Sequence, residues 1–333
     1  MKKINIGIIG LGIVGSKHLQ NLKQNKRVNK ILVHDKNPKV LQDIKKKYKS
    51  VISCQKENLI FKDKTVDAVC ICSYDNFHFN HVKKAIIEKK NIFIEKPLCL
   101  SERQLKIIKN LLEKSKIKII SNFVLRENSF FKEVKKKLEN GFFGKIYLID
   151  ASYNYGRLEK ITNGWRGAIK NYSVTLGGGI HLIDLVKFIY NRKFTKLTSC
   201  GNNISTKKNN FNFYDCITSI IQLEDNSIFN LTSNFGSVSP HNHSFKIYGT
   251  KGTAVYELKN SFFISNNNKN RILKVRYIKN NKKKILNEFI NDLHSRNQSI
   301  IKKFRLEKKK LLEVTSICLK IDRALKKKNW VNL

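Results

Sequence analysis

The sequence lacks the features of a membrane-spanning or disulfide-bonded secreted protein. No window of 18 residues is uninterruptedly apolar, which predicts that no segment crosses a bilayer. The seven cysteines include no C-x-x-C pair, and Cys70 and Cys72 alternate on one predicted strand. An odd, scattered set of cysteines indicates buried thiols in a reducing, cytoplasmic compartment. Met1-Lys2-Lys3 before an apolar run resembles a signal peptide, but four glycines interrupt that run and no cleavage site follows, so we expect no export.

Acidic side chains are also scarce: 25 Asp and Glu stand against 66 Lys and Arg, and the formal net charge is +41. Such an excess is typical of nucleic-acid-binding proteins, and that class is one alternative. The lysines, however, are spread along the whole chain in runs that no aromatic residues interleave. We therefore predict no specific nucleic-acid partner and a positive field that attracts anionic ligands, such as a nucleotide or a nucleotide-linked sugar.

The pattern of apolar runs predicts two domains. From Lys3 to about Asn122, short β-branched runs alternate with amphipathic, lysine-rich segments, which is typical of a parallel sheet covered on both faces. After Asn122 the strand-like segments become longer and alternate in polarity. We predict a doubly wound α/β domain over 1–122 and an α+β domain with an open, mostly antiparallel sheet over 123–333. Within the second, Asn260–Lys284 is predicted to form edge hairpins.

The first predicted strand ends in a glycine-rich turn of the form G-x-G-x-x-G, at Gly10, Gly12 and Gly15. Gly10 allows a tight turn, Gly12 lets the backbone approach a pyrophosphate, and Gly15 lets the following helix pack on the strand. Asp35 closes the next apolar run and could accept hydrogen bonds from the adenosine ribose hydroxyls, which favours NAD over NADP. A solvated turn residue is the alternative role for Asp35.

Four further segments carry side chains suited to chemistry. Ser73–His78 and Glu95-Lys96-Pro97 follow predicted parallel strands, whose carboxyl ends border the ligand crevice of such a sheet. Asn122–Arg126 lies where the two predicted domains should meet, and Gly177–Asp184 combines three glycines with His181. His241 and His243 form an H-x-H pair, but no third ligand has a suitable spacing, so we predict no metal site.

In these motifs the chain resembles the Gfo/Idh/MocA oxidoreductases, the relatives of glucose–fructose oxidoreductase and inositol dehydrogenase. The resemblance runs from the glycine turn through Glu95-Lys96-Pro97 to Tyr248–Gly252, and Glu-Lys-Pro at this distance from the turn is its most specific part. It implies NAD as cofactor and oxidation or reduction of a secondary alcohol on a sugar, nucleotide-sugar or cyclitol. It also implies a homo-oligomer, either a dimer or a tetramer.

The resemblance implies catalytic roles for Lys96 and His181. An ammonium group at Lys96 could hydrogen-bond the substrate hydroxyl and stabilise the forming alkoxide, and His181 could relay the proton. The predicted cofactor-binding residues are Gly10, Gly12, Ile13, Val14, Gly15, Asp35, Ser73, Asn76, His78, Glu95 and Lys96. The predicted substrate-binding residues are Arg126, Tyr153, Trp165, Arg166 and Asp184.

The chain departs from the commonest pattern of that family four residues before His181. Many members carry an Asp there, and this chain has Gly177. In one interpretation Lys96 and His181 suffice for catalysis. In another, Gly177, Gly178 and Gly179 open backbone space for a bulky substrate. In the alternative, the protein binds NAD as a catalytically weakened sensor or partner protein of the same fold.

Overall fold

The computed structural model describes residues 3–169, 172–209, 211–258, 260–266, 271–274 and 281–333. The chain forms two compact units. The first comprises the residues up to Asn122 together with Lys282–Glu313, and the second comprises Phe123–Asn281 with Val314–Leu333.

The first unit is built on a parallel sheet of six strands. The strands are β1 (Ile4–Ile9), β2 (Val28–His34), β3 (Val51–Ser53), β4 (Ala68–Ile71), β5 (Asn91–Ile94) and β6 (Ile119–Ser121). Their spatial order is β3-β2-β1-β4-β5-β6, the doubly wound order of dinucleotide-binding domains, and it confirms the predicted α/β fold. Its helices are α1 (Ile13–Lys23), α2 (Pro38–Lys47), α3 (Asn58–Phe61), α4 (Asp75–Ile87) and α5 (Glu102–Glu113).

Helix α1 begins at Ile13, within the glycine turn, with Gly12 as its N-cap. The short β3 and α3 were not predicted, because a strand of three residues and a helix of four are too short to show periodicity.

The second unit is built on a nine-stranded mixed sheet. After helix α6 (Ser129–Glu139) come β7 (Ile146–Asn154), α7 (Glu159–Thr162), α8 (Ile180–Ile189), β8 (Phe194–Asn202), β9 (Cys216–Leu223), β10 (Ile228–Asn234), β11 (Asn242–Gly249), β12 (Gly252–Tyr256), β13 (Ser261–Ser265) and β14 (Arg271–Lys274). The chain ends with α9 (Lys284–Asp292), α10 (Gln298–Lys327) and β15 (Val331–Asn332). The order is β14-β13-β12-β11-β7-β10-β9-β8-β15, with β7 and β10 parallel and the other pairs antiparallel, as the sequence predicts.

The carboxyl-terminal region differs from expectation in one feature and agrees with it in another. We assigned all of 123–333 to the second domain, whereas α9 buries Leu286, Phe289 and Ile290 in the core of the first unit. A hairpin predicted within Asn260–Lys284 is present as the antiparallel pair β13 and β14. The parts of that prediction at 267–270 and 275–280 lie outside the described residues.

Among the described residues, no helix combines the length and the apolar character needed to cross a membrane.

Candidate functional site

The glycine turn of the first unit has the geometry that the sequence predicts. Gly10 has φ +92°, and a Cβ there would lie 2.7 Å from the Cys72 carbonyl oxygen. A Cβ at Gly15 would lie 2.0 Å from the Gly10 carbonyl oxygen, so the start of α1 packs directly on the turn. A Cβ at Gly12 would meet nothing within 4 Å. Only Gly12 therefore borders open space, where a pyrophosphate could approach the backbone.

The amino terminus of α1 supplies the other elements of an anion site. No side chain caps this helix at Gly12, and the first-turn amide groups of a helix have no partners within it. Ile13 and Val14 are exposed there. The Asp35 carboxylate accepts a hydrogen bond from the Leu11 amide at 2.7 Å, so it lies directly beside the turn.

Ser73 follows β4 and is oriented by a chain of hydrogen bonds. Its hydroxyl lies 2.9 Å from Nδ1 of His81, whose Nε2 lies 2.8 Å from Glu57. Burial alone would raise the pKa of Glu57, but Lys84 and His81 lower it, so Glu57 is a carboxylate and accepts from Nε2. Burial lowers the pKa of His81 despite the opposing effect of Glu57. Nδ1 of a neutral His81 then accepts a hydrogen bond from the Ser73 hydroxyl. The lone pairs of the Ser73 oxygen remain available to a hydrogen-bond donor of a ligand.

His78 differs from the other predicted cofactor residues because it is completely buried. Its ring lies between two carbonyl oxygens, 2.6 Å from that of Pro97 and 3.0 Å from that of Ser73. It thus joins the segments that follow β4 and β5, and its burial favours a positioning role over direct contact with a ligand. Asn76, in the first turn of α4, is exposed.

The Glu95-Lys96-Pro97 segment follows β5, and two neighbouring side chains hold the Glu95 carboxylate. Oε1 of Glu95 lies 2.8 Å from Nε2 of His18 and accepts a hydrogen bond from Asn122 at 2.7 Å. Lys96 is half-buried, and the Lys96–Pro97 peptide is cis. Lys96 lies just beyond the end of β5, at the edge of a parallel sheet where ligand crevices form.

In the second unit, the three glycines before α8 form a turn of π-helix, Thr175–Gly179. A Cβ at Gly177 would lie 2.1 Å from the Tyr172 hydroxyl, and one at Gly178 would lie 2.4 Å from the Tyr153 ring. A Cβ at Gly179 would lie 2.3 Å from the Ser233 hydroxyl. The interpretation that these glycines open space for a bulky substrate is therefore wrong, because the chain's own side chains fill that space.

Two predicted substrate-binding residues bind each other. Asp184 is completely buried, and its two carboxylate oxygens accept hydrogen bonds from Nε, at 2.8 Å, and from Nη2 of Arg126. The Arg126 guanidinium also lies over the Phe123 ring. This bidentate pair holds α8 against the segment after Phe123. Its geometry favours a positioning role for both residues over direct contact with a substrate.

Around Tyr153 lies a cluster of rings that contains three imidazoles. The Tyr153 ring is stacked at 6.3 Å on His181 and stands edge-on to His241 and His243, at 5.2 and 4.9 Å between centroids. Burial raises the pKa of Tyr153 well above its usual value, so its hydroxyl is neutral. Trp165 is half-buried and carries the Arg166 guanidinium over its ring at 4.2 Å. Flat rings and donors of this kind suit a polyhydroxylated ligand.

The sequence pattern did not single out several residues of these sites. His18, Glu57 and His81 act through contacts between distant parts of the chain, and Tyr172 fills the space beside Gly177. No motif or spacing marks such contacts, since each depends on which helix face meets which strand.

The fold and the glycine turn define a dinucleotide-binding oxidoreductase. Residues 4–123 match the oxidoreductase family with an NAD-binding Rossmann fold, and residues 131–255 match the Gfo/Idh/MocA carboxyl-terminal domain. The chain belongs to the Gfo/Idh/MocA family, as the sequence motifs predict, and its first domain is an NAD-binding domain.

Several characterised proteins are similar to this chain. Myo-inositol 2-dehydrogenase of Thermotoga maritima is 30% identical over 146 residues, which is 44% of each chain. Glucose-6-phosphate 3-dehydrogenase of Bacillus subtilis is 28% identical over 283 residues, covering 78% of this chain and 77% of the relative. Scyllo-inositol dehydrogenase of Lactobacillus casei, solved with NAD(H) and scyllo-inositol, has a TM-score of 0.76 at 20% identity and covers 99% of both chains.

Proposed function

We propose that this protein is an NAD(H)-dependent dehydrogenase that interconverts a secondary alcohol and a ketone on a sugar, nucleotide-sugar or cyclitol. The observation that carries the proposal is the glycine turn, with its open Gly12 and the Asp35 carboxylate beside it. The ring cluster around Tyr153 supports a polyhydroxylated substrate. The similarity to myo-inositol 2-dehydrogenase and to glucose-6-phosphate 3-dehydrogenase supports the same substrate class.

In the proposed reaction, the glycine turn and Asp35 would hold NAD, which would supply the hydride acceptor or donor for the carbinol carbon. Lys96 hydrogen-bonds the reacting hydroxyl and stabilises the alkoxide that forms as the hydride leaves. His181 takes the hydroxyl proton and passes it to solvent. The Arg126–Asp184 pair positions His181, because Asp184 lies on the same face of α8 one turn away.

The decisive experiment is replacement of Lys96 by Met, with NADH binding and turnover measured separately. A screen of nucleotide sugars, sugar phosphates and cyclitols with wild-type protein first identifies a substrate by NADH fluorescence. Lys96→Met should then lose at least about a hundredfold in kcat, while NADH still binds. Lys106→Met, an exposed lysine on α5, is the matched control and should keep wild-type turnover.

Gly177 motivates the second candidate, an NAD-binding protein without turnover. Wild-type protein that binds NADH tightly and oxidises or reduces no member of the screen would favour this candidate. Turnover that Lys96→Met leaves unchanged would contradict the assigned role of Lys96 but not the dehydrogenase activity.

The cofactor preference has its own test at Asp35. Its carboxylate would repel the 2′-phosphate of NADP and bind the ribose hydroxyls of NAD. Asp35→Asn keeps an oxygen that can accept from Leu11 and removes the charge. The ratio of the NADPH Kd to the NADH Kd should fall about tenfold, equivalent to about 1.4 kcal/mol. An unchanged ratio would contradict the role of Asp35.

A further inference from the structure

Beneath the glycine turn, three side chains with metal-binding atoms converge. They are His18 on α1, Cys70 on β4 and Cys72 directly after that strand, and their ligand atoms all lie within 4.8 Å of one another. The two sulfur atoms are 3.5 Å apart. Among the described residues no other group of three His, Cys, Asp or Glu side chains converges in this way.

A fourth possible ligand touches the cluster. Oε1 of Glu95 lies 2.8 Å from Nε2 of His18, and Asn122 donates a hydrogen bond to the same oxygen. Two thiols and an imidazole thus converge between α1 and β4, and the carboxylate at the end of β5 contacts the imidazole. The side chains of His18 and Glu95 are only 9% and 17% exposed, so the site is enclosed without being sealed.

The backbone geometry disfavours a disulfide between the two sulfurs. Residues i and i+2 of an extended strand have Cα atoms about 6.6–6.8 Å apart, at the upper limit of about 6.8 Å that disulfides span. A tetrahedral ion with Zn–S distances of about 2.3 Å holds its sulfur ligands about 3.8 Å apart. The present separation of 3.5 Å is close to that value, so small side-chain rotations suffice.

We propose that His18, Cys70, Cys72 and Glu95 bind a thiolate-preferring divalent cation of the Zn²⁺ class in tetrahedral coordination. Binding releases the thiol protons and the proton shared by His18 and Glu95, and no electrons are transferred. All four positions are filled by protein ligands, so the ion is structural. The ligand set of two sulfurs, one nitrogen and one oxygen selects Zn²⁺ over Mg²⁺ or Ca²⁺, which prefer oxygen ligands alone.

The ion would lie against the turn that holds the pyrophosphate. A Cβ at Gly15 would lie 3.3 Å from Cβ of Cys72, and a Cβ at Gly10 would lie 2.7 Å from the Cys72 carbonyl oxygen. Coordination of Cys72 therefore fixes the strand end on which the glycine turn rests. This inference does not depend on the proposed dehydrogenase activity.

The test is metal binding to the full-length protein, stripped with chelator and kept reduced. Addition of Co²⁺ alone should produce the visible bands of tetrahedral cobalt and the near-ultraviolet band of cobalt–thiolate charge transfer, saturating at one ion per chain. Zn²⁺ should displace Co²⁺ and abolish both bands. Cys72→Ser and His18→Gln should each weaken Zn²⁺ binding by about a hundredfold or more, measured against a chromophoric chelator. Cys54→Ser, which removes another buried thiol of the same unit, is the matched control and should bind Zn²⁺ as wild type does.

A second readout uses the wild-type protein alone, so it does not require that any variant folds. Saturating Zn²⁺ should protect Cys70 and Cys72, but not Cys54, from alkylation, as mass spectrometry of the digested protein reports. Absence of a thiolate band, binding that Cys72→Ser leaves unchanged, or equal alkylation of the three cysteines with and without Zn²⁺ would each overturn the proposal. NADH binding by the same samples reports separately on the dinucleotide site.

Discussion

Position 177 shows how one residue constrains the second unit. The Tyr172 hydroxyl lies 2.1 Å from where a Cβ at Gly177 would be, and the Phe235 ring lies 3.2 Å from it. An acid at this position, as many family members have, would require Tyr172 to move. Gly177 and Tyr172 therefore form a matched pair, in which the tyrosine hydroxyl fills the space that a Cβ would occupy.

The first prediction follows from that pair. Gly177→Ala should destabilise the protein by about 1–3 kcal/mol, because the new methyl group overlaps a buried hydroxyl. Tyr172→Phe removes the overlapping oxygen, so the double variant should recover part of the loss. Urea denaturation of both single variants and the double variant measures the coupling. Strictly additive losses would contradict the pairing.

The glycines of the first turn support a second prediction, because they differ in their surroundings. Gly15→Ala places a methyl group 2.0 Å from the Gly10 carbonyl oxygen and should destabilise the first unit. Gly12→Ala meets no protein atom within 4 Å and should change stability by no more than about 0.5 kcal/mol. Its methyl group nevertheless occupies the approach to the pyrophosphate, so NADH affinity should fall. Thermal denaturation and NADH fluorescence separate the two effects, and undiminished NADH affinity of Gly12→Ala would contradict the assignment.

At the scale of elements, the π-helical turn before α8 is held by a buried carboxyl group on α10. The Ser173 hydroxyl donates to Asp322 at 2.9 Å and accepts from the Leu176 amide at 3.2 Å. Burial raises the pKa of Asp322 to about 7, although the Ser173 hydrogen bond and Lys326 act in the opposite direction. The stability of this contact should therefore depend on pH.

The third prediction gives the direction of that dependence. An unfolded Asp has a pKa of about 3.9, so the raised folded pKa contributes stability below about pH 4 that is lost as the pH rises through about 7. The melting temperature of wild type, relative to that of Asp322→Asn at the same pH, should fall between about pH 4 and pH 7. Asp43→Asn, which replaces an exposed carboxyl group on α2, is the control. The melting temperature of wild type relative to this variant should not fall over the same pH range. A difference between wild type and Asp322→Asn that stays constant over this range would contradict the prediction.

At the scale of the whole molecule, the charge of +41 is the dominant property. Many of the cations lie on exposed helix faces, for example Lys45, Lys46 and Lys47 on α2. Several of the ion pairs involve side chains that are well exposed, such as Lys109 with Glu113, and contribute little to stability. The excess charge therefore acts mainly on ligands and on the solvent ions.

The fourth prediction concerns the nucleic-acid alternative. A diffuse positive field binds duplex DNA weakly and loses that binding steeply as salt rises, because bound counterions are released. Association should be measurable at low ionic strength and disappear near about 0.15 M salt, where screening acts within about 8 Å. Fluorescence anisotropy of a labelled duplex measures it. Sequence-selective binding that persists at that salt concentration would favour a nucleic-acid partner instead.

Much of the fold and part of the site could be predicted from sequence because they depend on local pattern. The glycine turn, Asp35 and the strand-end position of Lys96 follow from short motifs with fixed geometry. The return of α9 to the first unit could not be predicted, because its apolar face would fit either core until the chain is folded. His18 and Asp322 gave no signal, since their partners lie far away in sequence.

The sequence by itself determined that this protein has a dinucleotide-binding domain, which family it belongs to and which strand ends carry its polar residues. These properties depend on spacing along the chain, and spacing is visible without coordinates. Only the tertiary structure decided that Tyr172 fills the space beside Gly177, that Asp184 binds Arg126, and that two cysteines meet His18. These are contacts between elements, and their existence depends on packing that no local pattern encodes.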